Sequence, residues 1–206
     1  MALVLASRNA HKLRELSVLL APHELVALPE EIELPPETGR TFAANALGKA
    51  RAAGAATGLA AVADDSGIEA AALGGAPGIR SARYAGEEAT DEENLLKLLN
   101  DVPPEGDTRV AYVCALALVR ADGTEEVVHG RCEGRLSHEL RGHGGFGYDP
   151  AFVPGDEDHG FAGAAAADGF GAGRTMAELS VEEKDAISHR GRAARALLAL
   201  LGSQTP

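Results

Sequence analysis

The chain has 206 residues, room for one large domain or two small lobes. Hydrophobic residues make up 45% of it and aromatic residues only 4%, with no Trp, so the core must be built from Ala, Leu and Val. A net charge of -12 argues against a general nucleic-acid or membrane binder, since both need a basic face. It leaves room for a small phosphate ligand, because charges more than about 8 Å away are largely screened at physiological salt. Cys114 and Cys132 are the only cysteines, with no CxxC and no His at ligand spacing, which predicts two buried thiols in a reducing cytoplasm. No apolar run approaches the ~20 residues of a membrane span, and Met1 leads straight into ALVLAS with no basic leader, so neither a span nor a signal peptide is expected.

Leu3-Val4-Leu5-Ala6 reads as a buried strand. The polar Ser7–Lys12 follows, then Leu13, Leu16, Leu19 and Leu20 at helical spacing: strand, loop, helix. Helix N-termini favour anions, so Lys12 in a first turn hints at a bound anion, the alternative being a solvated lysine on an amphipathic helix. Glu24 to Leu28 reads as a second strand and the acidic, Pro-rich Glu30 to Arg40 as a loop. Thr41 caps a helix to Thr57 that Gly58 ends, with Asn45 and Lys49 sharing one face.

The apolar run Leu59–Ala63 then meets two adjacent acids, Asp64 and Asp65, and Ser66-Gly67 suggests a turn there. Two carboxylates at the end of a buried strand are costly to desolvate unless something pairs with them, and a divalent cation would. A solvated turn is the alternative. Ile79 to Tyr84 reads as an arginine-bearing loop, Thr90 to Glu93 as a capping box ahead of a helix, and Pro103-Pro104 as its end. Arg109 to Arg120 is a strand, Asp122-Gly123 a hairpin turn and Glu126 to Glu133 the returning strand. Gly142 to Gly147 formally matches GxGxxG, but polar residues precede it and Tyr148-Asp149-Pro150 follows where a helix should begin, so it reads as a loop into a strand, Pro150 to Val153. Gly155 to Arg174 is Gly/Ala-rich and reads as a surface loop. Ser180 opens a short helix carrying Lys184, and Ser188 caps a last helix with His189 and Arg190 in its first turn.

Taken together in order, Ser7 to Lys12, Thr41 to Ala50, Ala63 to Gly67, Leu73 to Tyr84 (LGGAPGIRSARY), Gly144 to Pro150 (GGFGYDP) and Ala177 to Arg190 (AELSVEEKDAISHR) resemble the inosine triphosphate pyrophosphatase family, over Leu3 to about Leu201. The resemblance implies one α/β domain across the chain, with an elongated, twisted mixed sheet flanked by helices, two lobes with a central cleft and no linker. It also implies a cytoplasmic homodimer. The implied reaction is hydrolysis of a nonstandard purine nucleoside triphosphate (ITP, dITP or XTP) to the monophosphate and pyrophosphate with Mg²⁺, which would clear damaged purines from the nucleotide pool.

In that family's mechanism Asp65 would hold the metal and act as general base, with Glu37 a candidate second metal ligand or simply a solvated loop acid. Ser7, Arg8, Asn9, Ala10, His11 and Lys12 would wrap the phosphates, with Lys49 and Lys184 supplying further charge and Ser66 a hydrogen bond. Phe146 would stack on the purine, with Gly147, Tyr148 and Asp149 in the same loop, and His189 and Arg190 would donate to O6. The first motif is usually Thr-Gly-Asn; here it is Ser7-Arg8-Asn9, so Arg8 stands where a glycine is common and could itself touch phosphate. Two other readings compete: a non-catalytic nucleotide-binding module on the same fold, and a phosphatase with an aspartyl nucleophile, which would want a DxD pattern that Asp64-Asp65-Ser66 does not supply.

Overall fold

A computed structural model describes residues 2–155 and 173–202. Within them lie β1 (Ala2–Leu5), α1 (Ala10–Leu19), β2 (Glu24–Ala27), α2 (Phe42–Thr57), β3 (Ala61–Ala70), α3 (Asp91–Asp101), β4 (Arg109–Val119), β5 (Glu125–Leu136), β6 (Phe152–Pro154), α4 (Val181–Ile187) and α5 (His189–Gly202). The strands form one mixed sheet in the order β2-β1-β3-β4-β5-β6. β1 pairs parallel with β2 and β3, β1 and β2 being joined by the crossover helix that parallel neighbours need, and β6 pairs antiparallel with β5. The expected α/β class with a mixed sheet is therefore observed.

Helix boundaries follow local chemistry. Asn9 caps α1, its Oδ1 accepting from the backbone N–H of His11 and Lys12 at 2.9 and 3.2 Å. Thr41 caps α2 through Ala44, and Gly58 ends that helix at φ 67°, where a residue with a Cβ would be strained. Thr90 and Ser180 each form the expected capping box. Asp122-Gly123 turns the chain between β4 and β5, with Arg120 and Thr124 hydrogen-bonded across it.

Four expectations need correction. Ser66-Gly67 is no turn: β3 runs straight through it from Ala61 to Ala70. Gly67 is there because of close approach, since a Cβ on it would overlap the Ser81 hydroxyl and the Gly78 carbonyl oxygen. Ile79–Tyr84 falls largely in a 3-10 helix, Gly78–Arg83, rather than an open loop. β5 continues to Leu136, three residues beyond Glu133. Asp149–Ala151 forms a 3-10 turn, so the last strand is only Phe152–Pro154. The Gly/Ala-rich stretch read as a surface loop lies, apart from its ends, outside the described residues.

The chain divides into two compact units, one within Met1–Asp65, Cys114–Gly130 and His189–Pro206, the other within Ser66–Val113 and Arg131–Ser188. Each has its own core. In the first unit Leu3, Leu5, Val62, Leu116 and Leu118 of the sheet pack with Leu16 and Leu20 and with Leu197 of α5. In the second, Ile68, Val110, Tyr112 and Phe152 pack with Leu95 and Leu98 of α3 and with Met176. Tyr112 and Phe152 stack with ring centroids 4.3 Å apart. Cys114 and Cys132 form no disulfide and are both buried, one in each core. No helix among the described residues is long and apolar enough to cross a membrane.

Candidate active site

Because successive strand residues point to opposite faces, an uninterrupted β3 sends Asp64 and Asp65 into different surroundings. Both are buried, at 1% and 5% exposure, which excludes the solvated turn. Asp64 meets cations: Lys12 Nζ at 2.7 Å from Oδ1 and Arg190 Nε at 3.1 Å from Oδ2. Arg190 is tied on its other side to Glu15, 3.0 Å away. Burial opposes the charge on Asp64, but Lys12, Arg190 and Lys49 outweigh it and hold the carboxyl well below the usual range. The thiol of Cys114 lies 4.0 Å from Asp64, and burial, helped by that carboxylate, pushes it far up and keeps it protonated.

Asp65 faces a different set. Asn45 donates to its Oδ2 at 2.8 Å, and Lys49 Nζ stands 3.9 Å from Oδ1. Lys49 spends its closer contacts on the Asp64 carbonyl oxygen (2.8 Å) and on Glu37 (2.6 Å). Burial raises the pKa of Asp65, Lys49 pulls it back, and the charge of Glu37 raises it further, with a net upward shift. A buried carboxylate with raised proton affinity has the character of a general base.

Among the described residues no group of three or more His, Cys, Asp or Glu forms a metal cage. Asp65 and Glu37, drawn towards the same lysine, offer hard oxygens from two side chains. That donor set fits Mg²⁺, which is commonly held by one or two carboxylates together with substrate phosphates rather than by a complete protein cage. Glu37 is half-buried and lies 2.6 Å from Lys49 Nζ, so it is not a fully solvated loop acid.

In the Ser7–Lys12 loop four backbone N–H groups are used internally: Ser7 donates to Leu5, Asn9 to the Ser7 hydroxyl, and His11 and Lys12 to Asn9. The anion that Lys12 hints at is met inside the protein by Asp64, although the lysine side chain keeps 16% exposure and has further N–H donors. His11 lies 2.8 Å from Arg14, and Ala10 opens α1. The Arg8 guanidinium donates to the carbonyl oxygens of Leu28, Pro29, Glu30 and Ile32.

In the second unit the expected residues gather on Asp149. This carboxylate is 3% exposed and accepts from Tyr112 Oη (2.9 Å), Lys184 Nζ (2.9 Å) and the Phe146 backbone N–H (3.0 Å). Gly145, at φ 72°, lies against it so closely that a Cβ would overlap the carboxylate and crowd Lys184. Lys184 Nζ stands 5.4 Å from the centroid of the half-buried Phe146 ring. Asp149 therefore acts as the acceptor that fixes the loop, and Lys184 is neutralised by it instead of presenting a free charge. The Tyr148 hydroxyl donates to the Ser81 carbonyl oxygen and the Gly147 N–H to Asp91, so both hold the loop's shape. Ser66 is half-buried on β3.

His189 and Arg190 begin α5 and are buried, at 4% and 5% exposure. Arg190 places Nε on Asp64 and Nη1 on Glu15, all within the first unit. Sequence reasoning missed Glu15 and Tyr112. Glu15 follows Lys12 by three residues on α1, the spacing that puts both on one helix face, and this could have flagged it. For Tyr112 the signal was weaker: a polar tip in an otherwise apolar strand.

The Ham1 family model matches residues 3–200. The chain is 52% identical to a dITP/XTP pyrophosphatase of Frankia alni, over 98% of this chain and 97% of that one. It is 50% identical to a dITP/XTP pyrophosphatase of Mycolicibacterium paratuberculosis, over 97% and 95%. Among solved structures it resembles a HAM1 protein from Coxiella burnetii, with a TM-score of 0.82, 39% identity and 98% and 99% of the two chains covered. A nucleoside-triphosphatase / dITP/XTP pyrophosphatase from Mycobacterium abscessus aligns with a TM-score of 0.68 and 48% identity, covering 96% and 99%. A family match along nearly the whole chain, with such relatives, carries one conclusion: this protein is a member of the Ham1 family.

Proposed function

We propose that this protein hydrolyses nonstandard purine nucleoside triphosphates, namely ITP, dITP and XTP, between the α- and β-phosphates, releasing the monophosphate and pyrophosphate. The observation that carries the reading is Asp65: a buried carboxylate of raised proton affinity, oriented by Asn45 and flanked by Lys49 and Glu37. Its close relatives are named dITP/XTP pyrophosphatases, which supports the same substrates here.

The chain's own residues divide the work. Asp65 accepts a proton from the attacking water, a role worth about 10²–10⁴-fold in rate. Asn45 donates to Oδ2 and so fixes which oxygen of Asp65 is used. Lys49 and Lys12 place positive charge beside phosphate oxygens while remaining on their own carboxylate partners. Phe146, held by Asp149 and faced by Lys184, offers a ring on which a purine stacks. Asp65 and Glu37 would hold Mg²⁺, which would offset phosphate charge and polarise a phosphoryl oxygen. A homodimer in the cytoplasm completes the reading, and two buried, unbridged cysteines accord with a reducing compartment.

The test is a product assay on ITP, dITP, XTP, ATP and GTP with Mg²⁺. Pyrophosphate and monophosphate from the first three, with ATP and GTP turned over far more slowly, is the expected outcome. Orthophosphate as the product, or equal rates on ATP and ITP, would overturn it.

A further inference from the structure

Arg8 is exposed, and its long side chain has rotamer freedom to lose, yet its guanidinium converges on four backbone oxygens. Nη1 donates to Leu28 at 3.0 Å, and Nη2 reaches Pro29, Glu30 and Ile32 at 2.9, 3.0 and 2.7 Å. No carboxylate among the described residues pairs with it. The segment it grips begins the stretch between β2 and α2, residues 28–41, which has no regular secondary structure and carries Glu37. The far end of that stretch is tied separately: the Gly39 N–H donates to Asn45 Oδ1 at 2.8 Å, and Glu37 accepts from Lys49. Asn45 in turn donates to Asp65. A segment without a ladder of its own is held only by such ties.

We propose that Arg8 is a positioning residue: it straps residues 28–32 to the Ser7–Lys12 loop and so keeps Glu37 in register with Lys49 and Asp65. The strap itself stands on the geometry; its effect on turnover rests on the reading of Asp65 and Glu37 given above. The planar fork of an arginine suits the task because its N–H groups spread over separated acceptors, whereas one lysine ammonium cannot span all four.

The experiment uses the full chain, with Arg8→Gly, Arg8→Lys, Glu37→Gln and the Arg8→Gly/Glu37→Gln double variant. Hydrogen exchange is followed without nucleotide or metal over residues 28–38, with α3 as internal control. Arg8→Gly is expected to raise exchange in 28–38 by about tenfold or more, the scale of one lost hydrogen bond to a charged group, and to leave α3 unchanged. On ITP its KM rises several-fold with kcat nearly preserved, Arg8→Lys falls between, and in the Glu37→Gln background the added effect of Arg8→Gly largely disappears. Unchanged exchange in Arg8→Gly removes the strap, whatever the protein's activity. Full recovery by Arg8→Lys, or an undiminished KM effect without Glu37, would show instead that Arg8 acts as a bare charge on the phosphates. An enzyme inactive on every triphosphate but loosened in 28–38 keeps the strap and sinks only the proposed reaction.

Discussion

Asp64 and Asp65 share a strand and a side chain but not an environment. Lys12 and Arg190 reach the first at 2.7 and 3.1 Å, while the second has one amide and a lysine 3.9 Å away that is closer to Glu37. Burial alone would raise both carboxyls; it prevails only at Asp65, because there the cations are fewer and a like charge stands near. The pair teaches that a strand's two faces can separate holding from reacting within a single peptide unit. Asp64 organises charges, and Asp65 is kept ready to take a proton.

The sharpest way to break this contrast is at Asp65. Asp65→Asn should lower kcat by about 10²–10⁴-fold with the denaturation midpoint unchanged or raised, since it removes a charge that burial disfavours. Turnover assays beside urea titrations check both halves, and an active variant would end the assignment. Asp64→Asn should do the reverse to stability. It leaves Arg190 and Lys12 without their buried counter-charge, at a cost of about 3–5 kcal/mol in unfolding free energy. A variant as stable as the parent would dissolve the distinction.

The two acids also predict opposite dependences on pH. Asp64 has a depressed folded-state pKa, so its contribution to stability is present above the unfolded value of about 3.9 and is lost as pH falls below it. Asp65 has a raised one, so the folded state binds its proton more tightly than the unfolded chain. Stability declines as pH rises from the ordinary Asp value to the raised one, and the base form needed for turnover appears over that same window. The acid limb of kcat/KM should therefore lie above the ordinary Asp range at subsaturating Mg²⁺, and rising Mg²⁺ on Asp65 should draw it down. The smallest effect is expected from Asn45→Ala. It removes the hydrogen bond that favours charged Asp65 and the one Asn45 accepts from Gly39, costs about 0.5–1.5 kcal/mol for each, and moves that limb further up; a downward move would contradict the assigned geometry.

Much of this was legible in the sequence because it is local. The caps at Thr41, Thr90 and Ser180, the hairpin at Asp122-Gly123 and the face shared by Asn45 and Lys49 depend on a few adjacent residues. What failed depends on neighbours distant in sequence. Ser66-Gly67 has turn composition, and only the approach of Ser81 and Gly78 shows why a glycine belongs inside β3. Lys12 and Lys184 read as cations for a phosphate, and nothing local shows that Asp64 and Asp149, far along the chain, pair with them. Arg8 stood out as a departure from its family's usual motif, yet nothing in that motif shows that its partners would be carbonyl oxygens more than twenty residues away at Pro29, Glu30 and Ile32.

The two thiols extend the contrast from one strand to the whole chain. Cys114 sits beside Asp64 in one core and Cys132 in the other, both sealed from solvent. A sulfhydryl sealed from solvent does not alkylate, so each becomes reactive only while its own core is open. The order in which iodoacetamide marks them under mild urea would therefore time the breathing of each half of the molecule, with a native-sequence reporter already built into both.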